Sequence, residues 1–241
     1  MSLDKDLQQS YDLEGKKIFN INSLSSESLQ KSINLFENKS LILKKPKPID
    51  VNVYTLVSGQ SFSVSLIKEL KKIKNEIQTI LNDTLCYWVK PENLGVEYCV
   101  FKWPDDLWKE NWLNQIISFI DSKEYESFEL KITGIQLHSD GCIIAKGYDN
   151  GKIRNIRTDL MSNLEFTPSR QSNWAHIPLG RILEPVSGKI FDKLKKTMKQ
   201  LSDKHIGIEE IIDQKLIYET RWYMEKKEIL YLKQLKHYQE I

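Results

Sequence analysis

The sequence has little cysteine, and the few thiols are scattered. Only Cys86, Cys99 and Cys142 occur in 241 residues, and no two of them form a C-x-x-C pair. A structural zinc site needs clustered ligands, and a secreted disulfide framework needs an even, dense set of cysteines. The spacing therefore predicts no metal site and favours reduced, mostly buried thiols inside the cell.

Long apolar runs are absent as well. No stretch approaches the roughly 18 consecutive apolar residues that a membrane span requires. The N-terminal segment is the polar run MSLDKDLQQS, which lacks the apolar centre of a signal peptide. Both absences favour a cytoplasmic protein without a membrane partner.

Charge of one sign is not in excess. The 35 lysines and arginines nearly balance the 33 aspartates and glutamates, so the composition predicts no binding of duplex DNA. The sequence also lacks the motifs G-x-x-x-x-G-K-[ST], G-x-G-x-x-G and H-E-x-x-H. We therefore expect neither a nucleoside-triphosphatase, nor a dinucleotide enzyme, nor a zinc protease, and we expect no cofactor. The oligomeric state is left open by the sequence.

The first 50 residues differ from the remainder. Residues 1–50 are predicted to form an N-terminal extension with one helix in SLSSESLQKSINLF, where Leu29, Ile33 and Leu35 recur at roughly helical spacing. The run KKPKPID follows, and two prolines among three lysines predict an extended linker. The main domain is then expected over residues 51–241.

Within that domain, an order of strand, helix and strand occurs twice. The first half is predicted to contain the strand VNVYTLVSG, the amphipathic helix FSVSLIKELKKIKNEIQTIL, and two strands in CYWVKPENLGVEYCVFKWP. The second half is predicted to contain a hairpin around SDG, the helix NGKIRNIRTDLMSNL, the strand NWAHIPLGRIL, the helix KIFDKLKKTMKQL, and terminal strands in IIDQKLIYETRWYM and EILYLKQL. The last segment also suits a helix. The repeat predicts an α+β protein of two structurally equivalent units.

Three runs of the chain resemble the 2H phosphoesterases, the superfamily of RNA ligase-like proteins and cyclic phosphodiesterases. They are FELKITGIQLHSDGCIIAKGYDNGKIRNIRTDL, WAHIPLGRI and YWVKPENLGVEYCV, and the resemblance covers about residues 50–235. It implies two pseudo-symmetric lobes, about 51–122 and 123–241, whose antiparallel sheets face a central cleft with the helices outside. Each lobe of such proteins carries a His-x-Thr or His-x-Ser motif. One histidine deprotonates water, the other protonates the leaving oxygen of a 2′,3′-cyclic or similar phosphodiester, and the hydroxyls hold the phosphate.

The chain departs from that pattern at three of its four motif positions. His176 matches the second histidine, but Pro178 stands at the hydroxyl position, and Gly95 and Glu97 replace the first histidine and its hydroxyl residue. Glycine cannot move a proton, and proline offers no donor. A carboxylate repels phosphate unless it is protonated or paired. These residues predict a degenerate member that lacks the usual two-histidine reaction.

His176 and Glu97 remain the candidate catalytic residues. Glu97 lies two residues beyond Gly95 and should face the same cleft, where a Glu97–His176 pair would raise the pKa of the histidine. The structural alternative for His176 is a buried, hydrogen-bonded strand residue. Arg181 is a candidate ligand-binding residue, but strict alternation places it on the opposite face from His176, where a salt bridge is its ordinary role.

The other ligand-binding candidates are aromatic or basic. Tyr98 could also serve as the second proton carrier. Tyr218, Arg221 and Trp222 belong to the run YETRWY, and aromatic rings with an arginine can stack a base and bind a phosphate. The structural alternative is an aromatic strand face in the core.

Three functions are compatible with these residues. The first is a degenerate protein that binds a phosphate-containing ligand, a nucleotide or an RNA end, in a cleft beside His176. The second is an active phosphodiesterase on cyclic phosphates or RNA ends, with His176 and a partner such as Glu97 or Tyr98. The third is a protein-interaction module whose cleft is filled by its own chain, for example by residues 1–50.

Overall fold

Two antiparallel sheets form the frame of the protein, which a computed structural model describes over residues 3–237. The helices are α1 Leu3–Phe19, α2 Gln30–Ile33, α3 Asn38–Ile42, α4 Val64–Leu81, α5 Glu110–Ser122, α6 Lys152–Asn163 and α7 Gly188–Leu201. The strands are β1 Ser23–Leu24, β2 Asp50–Gly59, β3 Cys86–Trp88, β4 Gly95–Lys102, β5 Phe128–Leu137, β6 Cys142–Tyr148, β7 Ala175–Ile182, β8 Val186–Ser187, β9 His205–Ile211, β10 Asp213–Arg221 and β11 Lys226–Gln234.

The sheets exchange strands between the two halves of the chain. The four-stranded sheet has the order β11-β10-β2-β4, and the five-stranded sheet has the order β3-β7-β6-β5-β9. The α+β class with antiparallel sheets is therefore as predicted. However, the C-terminal hairpin β10–β11 completes the sheet of the first half, and β3 joins the sheet of the second. Neither sheet follows the expected division near residue 122.

The end of the chain forms three strands where two were predicted. The run expected as one strand from Ile211 is divided, because β9 ends at Ile211 and β10 begins at Asp213. β9 pairs with β5 in one sheet, whereas β10 pairs with β2 in the other. β11 is a strand and not a helix.

The amphipathic helix predicted between the first strands is α4. The Ser63 hydroxyl caps its N-terminus by accepting a hydrogen bond from the Leu66 amide at 3.2 Å. The apolar row of α4 is buried, and the helix packs against α7 and β9. Full burial of each such leucine or isoleucine stabilises the fold by roughly 1.5–3 kcal/mol.

A bulge in β7 changes which of its side chains share a face. His176 lies opposite Lys146, but Gly180 and Pro178 pair with the adjacent residues 143 and 144, so Leu179 is an extra residue in the ladder. One inserted residue reverses the alternation beyond it. Arg181 therefore lies on the same face as His176, and the expectation of opposite faces, which assumed a regular strand, is wrong.

The helix α1 was not predicted, and it seats residues 3–19 against the five-stranded sheet. Its anchor is Tyr11, whose side chain is fully buried and whose hydroxyl lies 3.4 Å from both the amide and the carbonyl oxygen of Gly147. Close approach continues at Gly15, where a Cβ atom would lie 3.0 Å from the Gln136 side chain. The helix thus joins the extension to the strands of the main domain.

Truncation of the anchor tests this packing. We expect Tyr11→Ala to lower the free energy of unfolding by about 3 kcal/mol, because it leaves an aromatic-sized cavity between helix and sheet. Leu13→Ala on the same helix is the matched control, since the Leu13 side chain is 73% exposed. Urea denaturation of both variants measures the difference. Equal losses of stability in the two variants would contradict the seating of α1.

Candidate functional site

The two motif strands lie against each other where the sheets meet, β4 at the edge of one sheet and β7 within the other. Gly95 and Glu97 lie on β4, whereas His176 and Pro178 lie on β7, so this contact of strands brings the two motif segments together. A Cβ atom built on Gly95 would lie 2.9 Å from the Ser58 carbonyl oxygen. The Ser58 backbone therefore leaves no room for a side chain at position 95, and any residue other than glycine there requires a shift of the main chain.

Glu97 is a buried carboxyl group that lies within the electrostatic influence of an arginine. Burial raises the pKa of Glu97 to about 6, although the Arg157 charge and a hydrogen bond from Thr55 oppose the rise. Arg157 reaches from α6 and donates to the carbonyl oxygens of Glu97, at 3.1 Å, and of Tyr98. On the neighbouring β10, burial and the charge of Glu97 raise the pKa of Glu219 to about 7, against a hydrogen bond from the Met224 amide.

His176 is held as a neutral imidazole. Burial, followed by the positive charges of His138, Arg157 and Arg181, lowers its pKa to about 3. Its Nδ1 atom is buried and has no hydrogen-bond partner among the described residues. The ring meets the Trp174 indole edge-on, with centroids 5.8 Å apart. An imidazole in this state cannot supply a proton near neutral pH.

The expected pair of Glu97 and His176 does not form. Within residues 3–237 no ion pair joins the two side chains, and Glu97 has Arg157 as its charged neighbour instead. The pKa of His176 is lowered, whereas the predicted pair would raise it. The charge that acts on Glu97 is that of Arg157 on α6, which also donates to the Glu97 backbone carbonyl oxygen.

The face of β7 that carries His176 is covered by α1. Tyr11 packs with Cys142 and Ile144 of β6 and lies 5.2 Å from the Trp174 ring. The Trp174 indole N–H donates to the Ser10 hydroxyl at 2.7 Å. The space beside the second motif strand is therefore occupied by the N-terminal helix.

Arg181, a predicted ligand-binding residue, is committed to protein partners. Its guanidinium donates to the Ser32 hydroxyl at 2.6 Å, forms an ion pair with Asp140 at 3.1 Å, and donates to the Tyr223 hydroxyl. Ser32 belongs to the extension and Tyr223 to the turn between β10 and β11. Arg181 thus ties three distant parts of the chain together.

The tyrosines among the predicted residues lie in packed surroundings. Tyr98 is fully buried, and its hydroxyl shares a hydrogen bond of 2.8 Å with Ser58. Tyr218 stacks on Tyr54 with ring centroids 4.8 Å apart. Tyr98 therefore presents no surface to a ligand in this conformation.

Arg221 and Trp222 lie at the end of β10, away from the contacts of His176. The Arg221 guanidinium binds the Asp50 carboxylate at 2.7 Å. The Trp222 ring lies 6.4 Å from that of Trp103. The structure does not bring these two residues to the second motif strand.

Two buried cations near the motif strands, Arg157 and Lys146, are not among the site residues predicted from the sequence. Arg157 lies on the buried side of α6, between Ile153 and Leu160 at spacings of four and three, and that position in an apolar row was the available signal. Lys146 lies opposite His176 in an otherwise apolar strand. Burial lowers the pKa of Lys146, and Asp203 at 3.7 Å is its ion-pair partner.

Among residues 3–237, no three histidine, cysteine or carboxylate side chains are grouped so that they could hold a metal ion. No helix in the same range has the length and apolar character needed to cross a bilayer.

The buried carboxyl group makes stability depend on pH. Because the pKa of Glu97 rises from 4.5 to about 6 on folding, the unfolded chain ionises first as pH rises, and stability is lost between those values. We expect the parent to lose about 2 kcal/mol relative to Glu97→Gln between about pH 4 and pH 7. Chemical denaturation at both pH values measures it. If the difference in free energy of unfolding between the parent and Glu97→Gln does not change with pH, the raised pKa of Glu97 is refuted.

Several solved structures share the fold of this chain. No protein-family model matches the sequence, and no curated protein matches it. E. coli LigT in its apo form matches with a TM-score of 0.56 and 9% identity, over 78% of this chain and 99% of LigT. A phosphoesterase crystal structure matches at 0.54 and 10% identity over 77% and 99%. TT0787 of Thermus thermophilus matches at 0.52 and 13% identity over 77% and 98%. The chain therefore has the fold of the LigT-type 2H phosphoesterases, as its motif strands predict.

Proposed function

We propose that the protein is a degenerate 2H phosphoesterase-like protein that binds a phosphate-containing ligand and does not perform two-histidine hydrolysis. The observation that carries the proposal is the state of the second motif strand. His176 is the one histidine at the motif positions, and burial lowers its pKa to about 3. Hydrolysis of a phosphodiester needs one group that accepts a proton and another that donates one. Gly95 supplies neither.

The binding half of the proposal rests on charge and on the fold. E. coli LigT has been solved with phosphate, with ATP and with 3′-AMP, at TM-scores to this chain of 0.53, 0.50 and 0.51. In this chain, Arg154 and Arg157 are one turn apart on α6 and line a hollow that reaches Trp174 at the start of β7. Arginine is suited to phosphate because its planar donors match the phosphate oxygens.

One observation favours an active enzyme as the second candidate. With a pKa of about 6, Glu97 could exchange a proton near neutral pH. Its Arg157 partner and the lack of an ion pair with His176 oppose that role. The cover formed by α1 favours the third candidate, a module with a self-filled cleft, and this differs from our proposal only if no phosphate ligand binds.

Turnover and binding assays separate these functions. We expect no product from 2′,3′-cyclic nucleotides or from short RNAs ending in a cyclic phosphate, either with the parent or with His176→Ala. Equilibrium dialysis should nevertheless detect 3′-AMP bound to the parent. Turnover by the parent that is lost in both His176→Ala and Glu97→Gln would establish the active enzyme. Absence of both turnover and binding at millimolar ligand would leave the interaction module.

A further inference from the structure

A hollow of about 530 Å³ lies between α1, α6 and the segment 169–175 that leads into β7. The four motif positions, 95, 97, 176 and 178, are not among its lining residues. Its volume falls in the range of roughly 300–1,000 Å³ that small-molecule sites occupy. The hollow is therefore a separate feature, which exists because α1 packs beside α6.

One wall of the hollow is basic. Arg154 and Arg157 are three residues apart on α6 and point to the same side of the helix. Arg157 is 6% exposed, and its donations to the Glu97 and Tyr98 carbonyl oxygens fix the guanidinium in place. Arg154 is exposed and has no ion-pair partner in the described part of the chain. A fixed buried cation beside a free exposed one can clamp a dianion.

Two carboxyl groups, Asp6 and Asp149, also line the hollow and reduce its positive charge. Asp149 accepts hydrogen bonds from the amides of Gly151, at 3.1 Å, and Ile153, at 2.5 Å, at the N-terminus of α6, but burial outweighs them and raises its pKa. Asp6 on α1 is the other carboxylate among the lining residues, and it is exposed. An anion bound by the arginines would be opposed by Asp6 and, when it is ionised, by Asp149.

The third wall offers an aromatic ring. Trp174 lines the hollow, and its indole N–H is held by the Ser10 hydroxyl at 2.7 Å. Tyr11 packs on the same ring at 5.2 Å. A ring fixed in this way can stack a planar base without losing conformational entropy on binding.

We propose that this hollow is a binding site for a phosphomonoester of mononucleotide size, with the phosphate on Arg154 and Arg157 and the base against Trp174. The site deepens the proposed function, because it names the ligand class and places it outside the motif positions. The covered motif strand then needs no opening for the ligand to bind.

Isothermal titration calorimetry of the full chain with 3′-AMP, adenosine and inorganic phosphate tests the site. Arg154→Gln should weaken 3′-AMP binding about tenfold, as expected for one charge-assisted contact. Asp6→Asn should have the opposite sign and tighten binding about twofold, because it removes a like charge. Arg170→Gln is the matched control, since Arg170 is exposed but lies against Trp103 outside the hollow.

Trp174→Phe distinguishes the two halves of the ligand. It should weaken 3′-AMP binding and leave the binding of inorganic phosphate unchanged. The proposal is overturned if 3′-AMP does not bind, if adenosine binds as tightly as 3′-AMP, or if Arg154→Gln and Asp6→Asn behave like Arg170→Gln. Turnover of cyclic phosphates in the same preparation would overturn the proposed function and not the hollow, so the two failures are distinguishable.

Discussion

The seating of α1 on the five-stranded sheet, anchored by the Tyr11 ring, is the contact on which the rest of the site depends. It brings Trp174 against His176 and covers the strand face that carries the second motif. Removing this face from water is the largest cause of the low pKa of His176. The same contact forms one wall of the hollow beside α6. The burial of His176 and one wall of the hollow thus both depend on the packing of α1 against the sheet.

The charged residues near the motif positions hold the fold together. Arg157 binds the free edge of β4, and Arg181 joins the extension, the β5–β6 turn and the β10–β11 turn. At Gly95, the Ser58 carbonyl oxygen occupies the space that a side chain would need. Because the donors of Arg181 are already bound to Ser32, Asp140 and Tyr223, this residue stabilises the arrangement and has little capacity left for a phosphate.

Much of the fold could be predicted because its signals are local. The apolar spacing of α4, the hairpin β5–β6 and the two motif strands each depend on neighbouring residues, and all are present. The helix α1 was missed because a mostly polar segment with Leu7, Tyr11 and Ile18 at spacings of four and seven has a weak apolar stripe. Its stability comes from the sheet beneath it.

The parts of the site that were not predicted depend on long-range contacts. The bulge at Leu179 places Arg181 on the face of His176, and the flanking Pro178 and Gly180 were the available signal for it. The hydrogen bond from Arg157 to the Glu97 carbonyl oxygen joins residues 60 positions apart. The pairing of β10 with β2 is likewise set by tertiary packing. Strand alternation gives the face on which Glu97 or His176 lies, but it does not show which residues of other elements meet that face.

The most direct test of this account is an NMR titration of the His176 imidazole in the full chain, assigned with a His176→Gln variant. The account predicts that the ring stays neutral from pH 8 down to about pH 4, because its protonation is opposed by burial, by the charges of Arg157 and Arg181, and by His138 once that ring is protonated. Protonation of His176 near its ordinary pKa of 6.5 would contradict the account, since it would mean that α1 does not cover the second motif strand.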